Sequence, residues 1–522
     1  MEAADEERPL IHRLLPQGEA SQYTSDGTVD INDQPALKQS TGNWRACIMI
    51  LGTEFTECMA FFAIGKNLVT FLTGELHETN VDAAKNVSTW IGSCFLTPVI
   101  GAFLADTYWG RYRTIVIFLL VYTIGMLILT VAASLPLIMV GLPYHSGVRR
   151  VAVYLGLYLV ALGTGGIKPC ASALGADQFD GADPVERAVT KASFFNWYYF
   201  SINIGSLLSG TVLVWVQDNV GWGVGFLIPT AFMVIGLATF VAGRRVYRYK
   251  KLEGSPLKRV SQVVVAAKGA SVSKNPWRLC TVSQVEELKM LLRMFPVWAS
   301  MVLFFTATAQ MSSTFIEQGA AMDNRVGSFT VPPASLATFD VISVMVCIPI
   351  YDAVLVPLAR RATGKERGLS QLQRLGVGLA LSVVGMVYAA LVEARRLALA
   401  RADAPPMSIM WQAPAFAVLG AGEVFTAIGL LEFFYDQSPN GMKSLGTALA
   451  QLTVAAGNYL NSAVLGAVAA VTARGGRPGW IPDDLNEGHL DYFFWLMAAL
   501  GVGNLLHFLH CSMRYRGNNT AS

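Results

Sequence analysis

Residues 114–140 read TIVIFLLVYTIGMLILTVAASLPLIMV, an unbroken run without a charged side chain. A helix needs about 20 apolar residues to cross the hydrocarbon core of a bilayer, so this run is long enough to span it. A membrane β-strand would be about 10 residues long and would alternate between polar and apolar side chains. The run is longer and does not alternate. It therefore predicts a transmembrane α-helix.

Runs of the same kind recur along the whole chain. The composition agrees with them, since 53% of the 522 residues are hydrophobic and only 14% are charged, whereas soluble domains are about 25% charged. This composition argues against a soluble enzyme and against a largely disordered chain. We predict an all-α membrane protein with twelve transmembrane helices, near residues 45–73, 87–106, 114–140, 150–175, 193–216, 222–243, 294–317, 334–358, 371–394, 408–435, 444–472 and 490–512.

A basic segment divides these helices into two sets of six. It covers residues 244–293 and begins with Arg244 and Arg245. Loops rich in lysine and arginine stay on the cytoplasmic side of a membrane, which puts both termini in the cytoplasm. We therefore predict two packed six-helix bundles. The predicted parts are an N-terminal tail (1–44), an N-terminal bundle (45–243), the linker (244–293), a C-terminal bundle (294–513) and a C-terminal tail (514–522).

Not every basic residue agrees with the predicted orientation of the chain in the membrane. Four arginines oppose the predicted orientation, because Arg149, Arg150, Arg395 and Arg396 fall on the non-cytoplasmic side. The long basic segment is the stronger signal.

Residues 1–40 predict a disordered tail, and the acidic-dileucine pattern of this tail at 6–11 is typical of sorting to an endomembrane. The plasma membrane and the vacuolar membrane are both compatible with the sequence as the location of the chain.

The first helix carries two acids, Glu54 and Glu57, followed by Cys58. Residues three or four apart lie on one face of a helix, so these side chains share a face. A charge inside a membrane helix costs about 2.5–3.5 kcal/mol on insertion scales. Two carboxylates this close in a low dielectric cannot both ionise cheaply, so one should hold a proton at neutral pH. A proton-coupled carrier needs such a group, although a structural ion-pair network is the alternative.

Lys168 is the obvious partner for these acids. It follows Gly163, Gly165 and Gly166 in the fourth helix. Glycines there allow either close helix approach or a break in the helix, and we expect Lys168 on mobile or unwound backbone. The alternative is a lysine that reaches to the membrane interface.

The tenth helix holds two more acids, Glu423 and Glu432. They are nine residues apart and point in opposite directions on a straight helix, so they cannot share one pocket. We predict that Glu432 lines a pocket and that Glu423 packs between helices. Asp340 in the eighth helix is a further internal acid. The seven cysteines form no metal or disulfide pattern and are predicted to be buried hydrophobic residues.

Three longer motifs identify a resemblance. The chain resembles the proton-dependent oligopeptide transporter family, in its plant nitrate/peptide branch, within the major facilitator superfamily. Residues 101–113, GAFLADTYWGRYR, resemble the facilitator loop between helices two and three; residues 195–205, FNWYYFSINIG, resemble the family's fifth-helix signature. Residues 433–439, FFYDQSP, look most like the di- and tripeptide carriers.

The resemblance implies a proton-coupled symporter of di- or tripeptides or related small anionic solutes, which works by alternating access. Its partners would be protons, that solute and the lipid bilayer, with no cofactor, no metal, no catalytic residue and no nucleic acid. Protons would bind at Glu54, Glu57 and Lys168. Lys168 and Glu432 would bind the substrate. Further candidate substrate-binding residues, named as pocket liners from their positions in the helices, are Asn203, Tyr199, Gln310 and Trp411, with ordinary helix packing as the alternative. Gating or structural residues would be Asp106, Gly110, Arg111 and Arg113.

Two alternatives stay open beside this symporter. One is a carrier of nitrate or another small solute, although we place Thr308 where the nitrate carriers have a helix-seven histidine. The other is a non-transporting membrane sensor or regulator derived from the carrier fold. An intramembrane enzyme is disfavoured, because no paired catalytic constellation occurs at membrane depth.

The sequence departs from the family at its functional centre. The family's first-helix motif is Glu-x-x-Glu-Arg, usually followed by two tyrosines, but Cys58 takes the arginine position and Phe61 and Phe62 the tyrosine positions. In the family this arginine helps to neutralise the glutamates and to bind the substrate carboxylate. Lys66 lies eight residues further, about 12 Å along the helix axis and about 80° around it, so a simple exchange is geometrically unfavourable. Lys168 would then be the single cation facing two acids.

We predict that Cys58→Arg strengthens peptide uptake at acidic pH, because the arginine restores the missing positive charge beside the two acids. Uptake of a labelled dipeptide pool into cells that express the wild type or the variant would measure it. Uptake that falls or stays at zero in a correctly localised variant would contradict this account of Cys58.

Overall fold

The computed structural model describes residues 22–24, 27–138, 146–180, 191–250, 282–363, 369–437, 443–474 and 478–515. Most of the predicted linker lies outside these residues, as do the dileucine pattern and most of the C-terminal tail. The predicted boundaries of the two bundles therefore stay a prediction.

Twelve helices in the described part of the chain are long and apolar enough to cross a membrane, which confirms the predicted fold class. Each predicted run overlaps one of these spans. The spans are Asn43–Gly65, Asn80–Trp109, Arg111–Pro136, Gly147–Ala176, Trp197–Asn219, Trp222–Arg245, Leu292–Ala320, Pro333–Ile350, Gln371–Arg401, Ile409–Phe434, Leu449–Thr472 and Leu490–Arg514.

The regular elements follow in chain order. The α-helices are α1 (Asn43–Gly65), α2 (Leu68–Leu76), α3 (Asn80–Leu104), α4 (Arg111–Ile138), α5 (Ser146–Ala176), α6 (Lys191–Leu208), α7 (Val214–Asn219), α8 (Trp222–Ala242), α9 (Val282–Thr308), α10 (Thr314–Ala320), α11 (Ala337–Ile350), α12 (Val356–Thr363), α13 (Gln371–Arg401), α14 (Ala413–Gln437), α15 (Lys443–Thr472) and α16 (Leu490–Arg514). Strands β1 (Arg325–Val326) and β2 (Phe329–Thr330) form an antiparallel hairpin.

The chain divides into two compact units. Unit 1 contains Met1–Ala63, Leu96–Ser209 and Asn219–Ser255. Within it α4 packs along α5, and Gly125 and Gly156 bring the two backbones close together. Small residues at such contacts permit the close helix packing that stabilises membrane proteins. Thr130 and Thr230 join α4 to α8 through their hydroxyls, 2.8 Å apart.

Unit 2 contains Ile64–Phe95, Gly210–Asp218 and Pro256–Ser522. Within it α13 packs against α14 and α16, and α9 packs against α15. The start of α13 has a capping box, because the Ser370 hydroxyl accepts from the Gln373 backbone N–H while the Gln373 side chain accepts from the Ser370 N–H. This arrangement satisfies two of the backbone donors that a helix start leaves open.

The expectation of a disordered tail over residues 1–40 is wrong for the part of it that the structure describes. Val29 pairs with Tyr249 through two backbone hydrogen bonds of 2.9 and 2.8 Å, and Ala36 is fully buried. The Lys38 ammonium lies 3.2 Å from the buried Asp180 carboxylate. This segment therefore folds against the residues that follow α8, because its backbone polar groups form hydrogen bonds with them and some of its apolar side chains are buried.

The expectation of unwound backbone at Lys168 is also wrong, because α5 continues without a break from Ser146 to Ala176. The glycines allow close approach instead. A methyl group on Gly165 would lie 2.7 Å from the Thr97 backbone oxygen, and one on Gly166 would collide with the Phe118 ring. The glycines therefore bring α3 and α4 against α5 and hold the helix that carries Lys168.

We predict that Gly101→Ala destabilises the protein by about 1–3 kcal/mol, the usual cost of overpacking a tight contact. The reason is that a Cβ at Gly101 would collide with the Gly165 backbone oxygen. Thermal unfolding of the purified protein in detergent measures the effect.

Gly503→Ala is the matched control, because Gly503 is also helical and has nothing within 4 Å of a Cβ placed there. This variant should be neutral or stabilising, since alanine favours a helix over glycine. Equal unfolding temperatures for the two variants would contradict the close contact at Gly101.

Candidate functional site

Three side chains of α1 form a compact cluster in unit 1, and we call Glu54, Glu57 and Cys58 the α1 cluster. The Cys58 Sγ lies 3.6 Å from Glu54 Oε1 and 3.6 Å from Glu57 Oε2. All three side chains are buried, with at most 4% of any residue exposed. Within the described residues, Glu54 Oε2 and Glu57 Oε1 are buried without a hydrogen-bond partner. The shared face predicted from the sequence is thus present.

Lys168 of α5 interacts electrostatically with both carboxylates of the α1 cluster. Its Nζ also lies 3.7 Å from the centre of the Phe61 ring, which is a cation–π contact. The Tyr198 hydroxyl of α6 lies within hydrogen-bonding reach of the Glu54 carboxylate. One lysine and one tyrosine therefore face two buried acids.

The close packing of α6 on α1 explains how this geometry arises. A Cβ at Gly205 would lie 3.2 Å from the Met59 backbone nitrogen and 3.3 Å from the Cys58 Cβ. The Ser209 hydroxyl donates to the Met59 carbonyl at 2.8 Å. Since α6 approaches α1 this closely, Tyr198 comes within reach of Glu54.

The predicted gating residues lie at the junction of α3 and α4. Asp106 belongs to a π-helical turn, Ala105–Trp109, and Gly110 follows with a φ of 75°, a conformation that favours glycine. Arg111 forms an ion pair with Asp177 and also interacts electrostatically with Asp106. Arg113 is exposed. Sequence analysis missed Asp177, which follows the end of α5.

In unit 2, the structure gives Glu432 a basic partner. The Arg374 Nη1 of α13 lies 2.7 Å from Glu432 Oε2, and 31% of the Glu432 side chain is exposed. The Arg374 guanidinium also stacks over the Tyr351 ring, 4.9 Å from its centre. Sequence analysis missed Arg374, although a charge within the apolar run 371–394 was a usable signal.

A second group of charges in unit 2 contains Lys66, Asp340 and Glu423. Asp340 interacts electrostatically with both of the other two. Lys66 is 7% exposed, and a Cβ at Gly210 would lie 3.0 Å from its Nζ. Lys66 therefore interacts with Asp340. This agrees with the expectation that Lys66 does not replace the arginine missing at Cys58. Glu423 of α14 faces Asp340 of α11, because these two helices pack against each other.

The remaining predicted substrate residues have varied surroundings. The Asn203 amide donates to the Tyr199 carbonyl one turn earlier, at 2.8 Å, and Tyr199 itself is 56% exposed. Gln310 is fully buried, and its amide donates to the Asn461 side chain at 2.6 Å while accepting from the Thr314 hydroxyl. This network satisfies Gln310 inside the helix packing. Trp411 is exposed in the 3-10 turn Ile409–Gln412, just before α14.

Two of the arginines that opposed the predicted orientation are buried. Arg396 forms a bidentate ion pair with Glu393, at 2.9 and 2.7 Å, and donates to Asn486 at 2.7 Å. The Arg149 Nε donates to the Ala132 carbonyl at 3.1 Å, and Arg149 is 5% exposed. Both arginines therefore have partners inside the fold.

Twelve apolar spans in the described part of the chain define a multi-pass membrane protein, and comparison with known proteins gives the family. The model of the POT family matches residues 112–276 and 265–481, more than half of the chain. The chain belongs to this family, as its sequence motifs implied. The family is one of transporters rather than enzymes.

Relatives from Arabidopsis thaliana match along nearly the full chain. Protein NRT1/ PTR FAMILY 8.3 is 48% identical, with 99% of each chain covered. Protein NRT1/ PTR FAMILY 8.5 is 49% identical over 93% of this chain and 92% of the relative.

Solved structures confirm the fold. An auto-inhibited POT family peptide transporter superposes with a TM-score of 0.77 at 24% identity, covering 92% of this chain and 98% of the other. The POT family transporter PepTSo superposes with a TM-score of 0.75 at 22% identity, covering 91% and 99%.

We predict that Arg374→Gln lowers the free energy of unfolding by about 1–3 kcal/mol, between the values for exposed and buried ion pairs. The variant leaves Glu432 without its ion pair to Arg374. The double variant Arg374→Gln/Glu432→Gln should recover most of the loss, because neither charge then remains. Chemical unfolding in detergent measures both.

Arg113→Gln is the matched control, because Arg113 is exposed at the start of α4. Its stability should stay within about 0.5 kcal/mol of the wild type. Identical stabilities for Arg374→Gln and Arg113→Gln would rule out a stabilising ion pair at Glu432.

Proposed function

We propose that the protein is a proton-coupled symporter of di- or tripeptides or related small anionic solutes that works by alternating access. The observation that carries this proposal is the α1 cluster with Lys168, two buried carboxylates beside one lysine. Family membership supports transport, and the sequence around residues 433–439 supports a peptide substrate.

The proton site is proposed at Glu54 and Glu57. Two anions and one cation leave a negative charge in a low dielectric, and a proton on either carboxylate removes it. Binding of a substrate carboxylate at Lys168 would take the lysine away from the acids and favour their protonation. Proton binding and substrate binding thereby support each other, which is what coupled transport requires.

The amino end of a peptide would meet an acid of α14. Glu432 is the acid of α14 that the sequence predicts as a substrate-binding residue, but it forms an ion pair with Arg374. Glu423 faces Asp340, which Lys66 compensates, so a cationic group near Glu423 would relieve the remaining repulsion between the two acids. The ion pair at Glu432 therefore favours Glu423, and the two residues can be tested against each other.

We further propose that both termini lie in the cytoplasm, with the chain in the plasma or the vacuolar membrane. The basic segment 244–293 supports this orientation, because loops rich in lysine and arginine stay on the cytoplasmic side.

The test is voltage-clamp recording from oocytes that express the chain, with a mixed dipeptide pool applied at acidic and at neutral external pH. We predict an inward current that is larger at acidic pH, because each cycle would carry protons inward. Lys168→Gln should reduce it by at least about tenfold, equivalent to about 1.4 kcal/mol.

Glu423→Gln and Glu432→Gln form a matched pair on one helix. The substrate residue is the one whose replacement reduces the peptide current while surface expression is kept. A complete absence of current in the wild type, with surface expression confirmed, would reject proton-coupled peptide transport. It would favour a carrier of another small solute or a non-transporting sensor, and the loss of the arginine at Cys58 supports the sensor.

A further inference from the structure

The α1 cluster combines donor atoms that suit a metal ion. One atom from each of Glu54, Glu57 and Cys58 lies within 4.8 Å of the other two. A thiolate and two carboxylates are ligands that zinc accepts, usually in tetrahedral geometry. The sequence analysis predicted no metal, because no CxxC pattern or histidine spacing occurs, but one helical turn brings these three donors together.

The distances agree with such a site. With zinc–sulfur bonds of about 2.3 Å and zinc–oxygen bonds of about 2.0–2.2 Å, a tetrahedral site separates sulfur from oxygen by about 3.5 Å. The Cys58 Sγ lies 3.6 Å from an oxygen of each glutamate. A thiol has one proton and can donate it to only one of these oxygens at a time. When both carboxylates are ionised, the second contact therefore brings lone pairs together, which a shared cation would stabilise.

An independent observation points to a missing partner. Glu57 Oε1 is buried without a hydrogen-bond partner within the described residues, and Glu57 is 0% exposed. An unsatisfied carboxylate oxygen inside a protein is costly and calls for a proton or a cation.

The charges balance as well. A divalent cation would face two carboxylates and one thiolate, giving a net charge of about −1 by formal charge counting. Lys168, which interacts with both carboxylates, supplies the compensating positive charge. Binding of the ion displaces the thiol proton of Cys58, since the thiolate is the form that ligates metals.

We propose that Cys58, Glu54 and Glu57 form a binding site for a thiophilic divalent cation such as Zn²⁺ or Cd²⁺. The cation would occupy the carboxylates that the proposed symport uses for protons, so it would act as an inhibitor of transport. Binding itself does not depend on the proposed function, because all three donors belong to the chain and none comes from a substrate.

The test uses Co²⁺ as a spectroscopic probe of the purified full chain, with Zn²⁺ as competitor. We expect one Co²⁺ per chain, a sulfur-to-cobalt charge-transfer band and loss of that band on addition of Zn²⁺. Cys58→Ser and Glu57→Gln should each weaken binding by about 100-fold or more, since loss of a ligand costs at least as much as loss of its supporting groups.

Cys94→Ser is the matched control, because Cys94 is also fully buried in a membrane helix but lies outside the α1 cluster. It should keep the band and the affinity. Thermal unfolding of each variant without metal shows whether it is folded. The proposal is overturned if the folded wild type binds no stoichiometric Co²⁺, or if the band persists in Cys58→Ser. Either result leaves the peptide-current experiment unaffected, so the two proposals fail separately.

Discussion

The cost of removing charge from water is the constraint on which this structure depends. Each ionised side chain inside a membrane span is expensive unless a neighbour compensates it. The structure meets this cost in several places with direct partners: Arg396 with Glu393, Arg111 with Asp177 and Arg374 with Glu432. The α1 cluster is different, because among the described residues two carboxylates share one lysine. This imbalance is our reason for proposing that the cluster binds protons or a metal ion, since a compensated ion pair has less need of a further partner.

Close helix packing determines where these charges lie. Gly205 lets α6 approach α1, so Tyr198 comes within reach of Glu54. Gly165 and Gly166 hold α5 against its neighbours, so Lys168 projects from a continuous helix. In a membrane, packing and polar contacts rather than the hydrophobic effect drive helices together. Small residues therefore position the site as directly as its charged residues do.

Much of the fold could be predicted because hydropathy is a local property. Each apolar run became a span, and the face shared by Glu54, Glu57 and Cys58 followed from the geometry of one helix. The two wrong predictions concern structure that depends on contacts with residues far away in the sequence. A glycine-rich stretch permits either a break or close packing, and only the neighbouring helices decide between them. The polar segment before α1 was expected to be disordered, but backbone pairing with Tyr249, more than 200 positions away, orders it.

The sequence by itself determined the twelve membrane spans, the family and the presence of two acids without the usual arginine at Cys58. These depend on composition, short spacing and motif, which need no knowledge of distant contacts. Only the tertiary structure decided which charge meets which. In the folded chain Glu432 forms an ion pair with Arg374, and Lys66 interacts with Asp340. The Gln310 side-chain amide donates to Asn461 inside the helix packing. The physical reason is that the energy of a buried charge depends on the few ångströms around it, and those neighbours come from helices far apart in the chain.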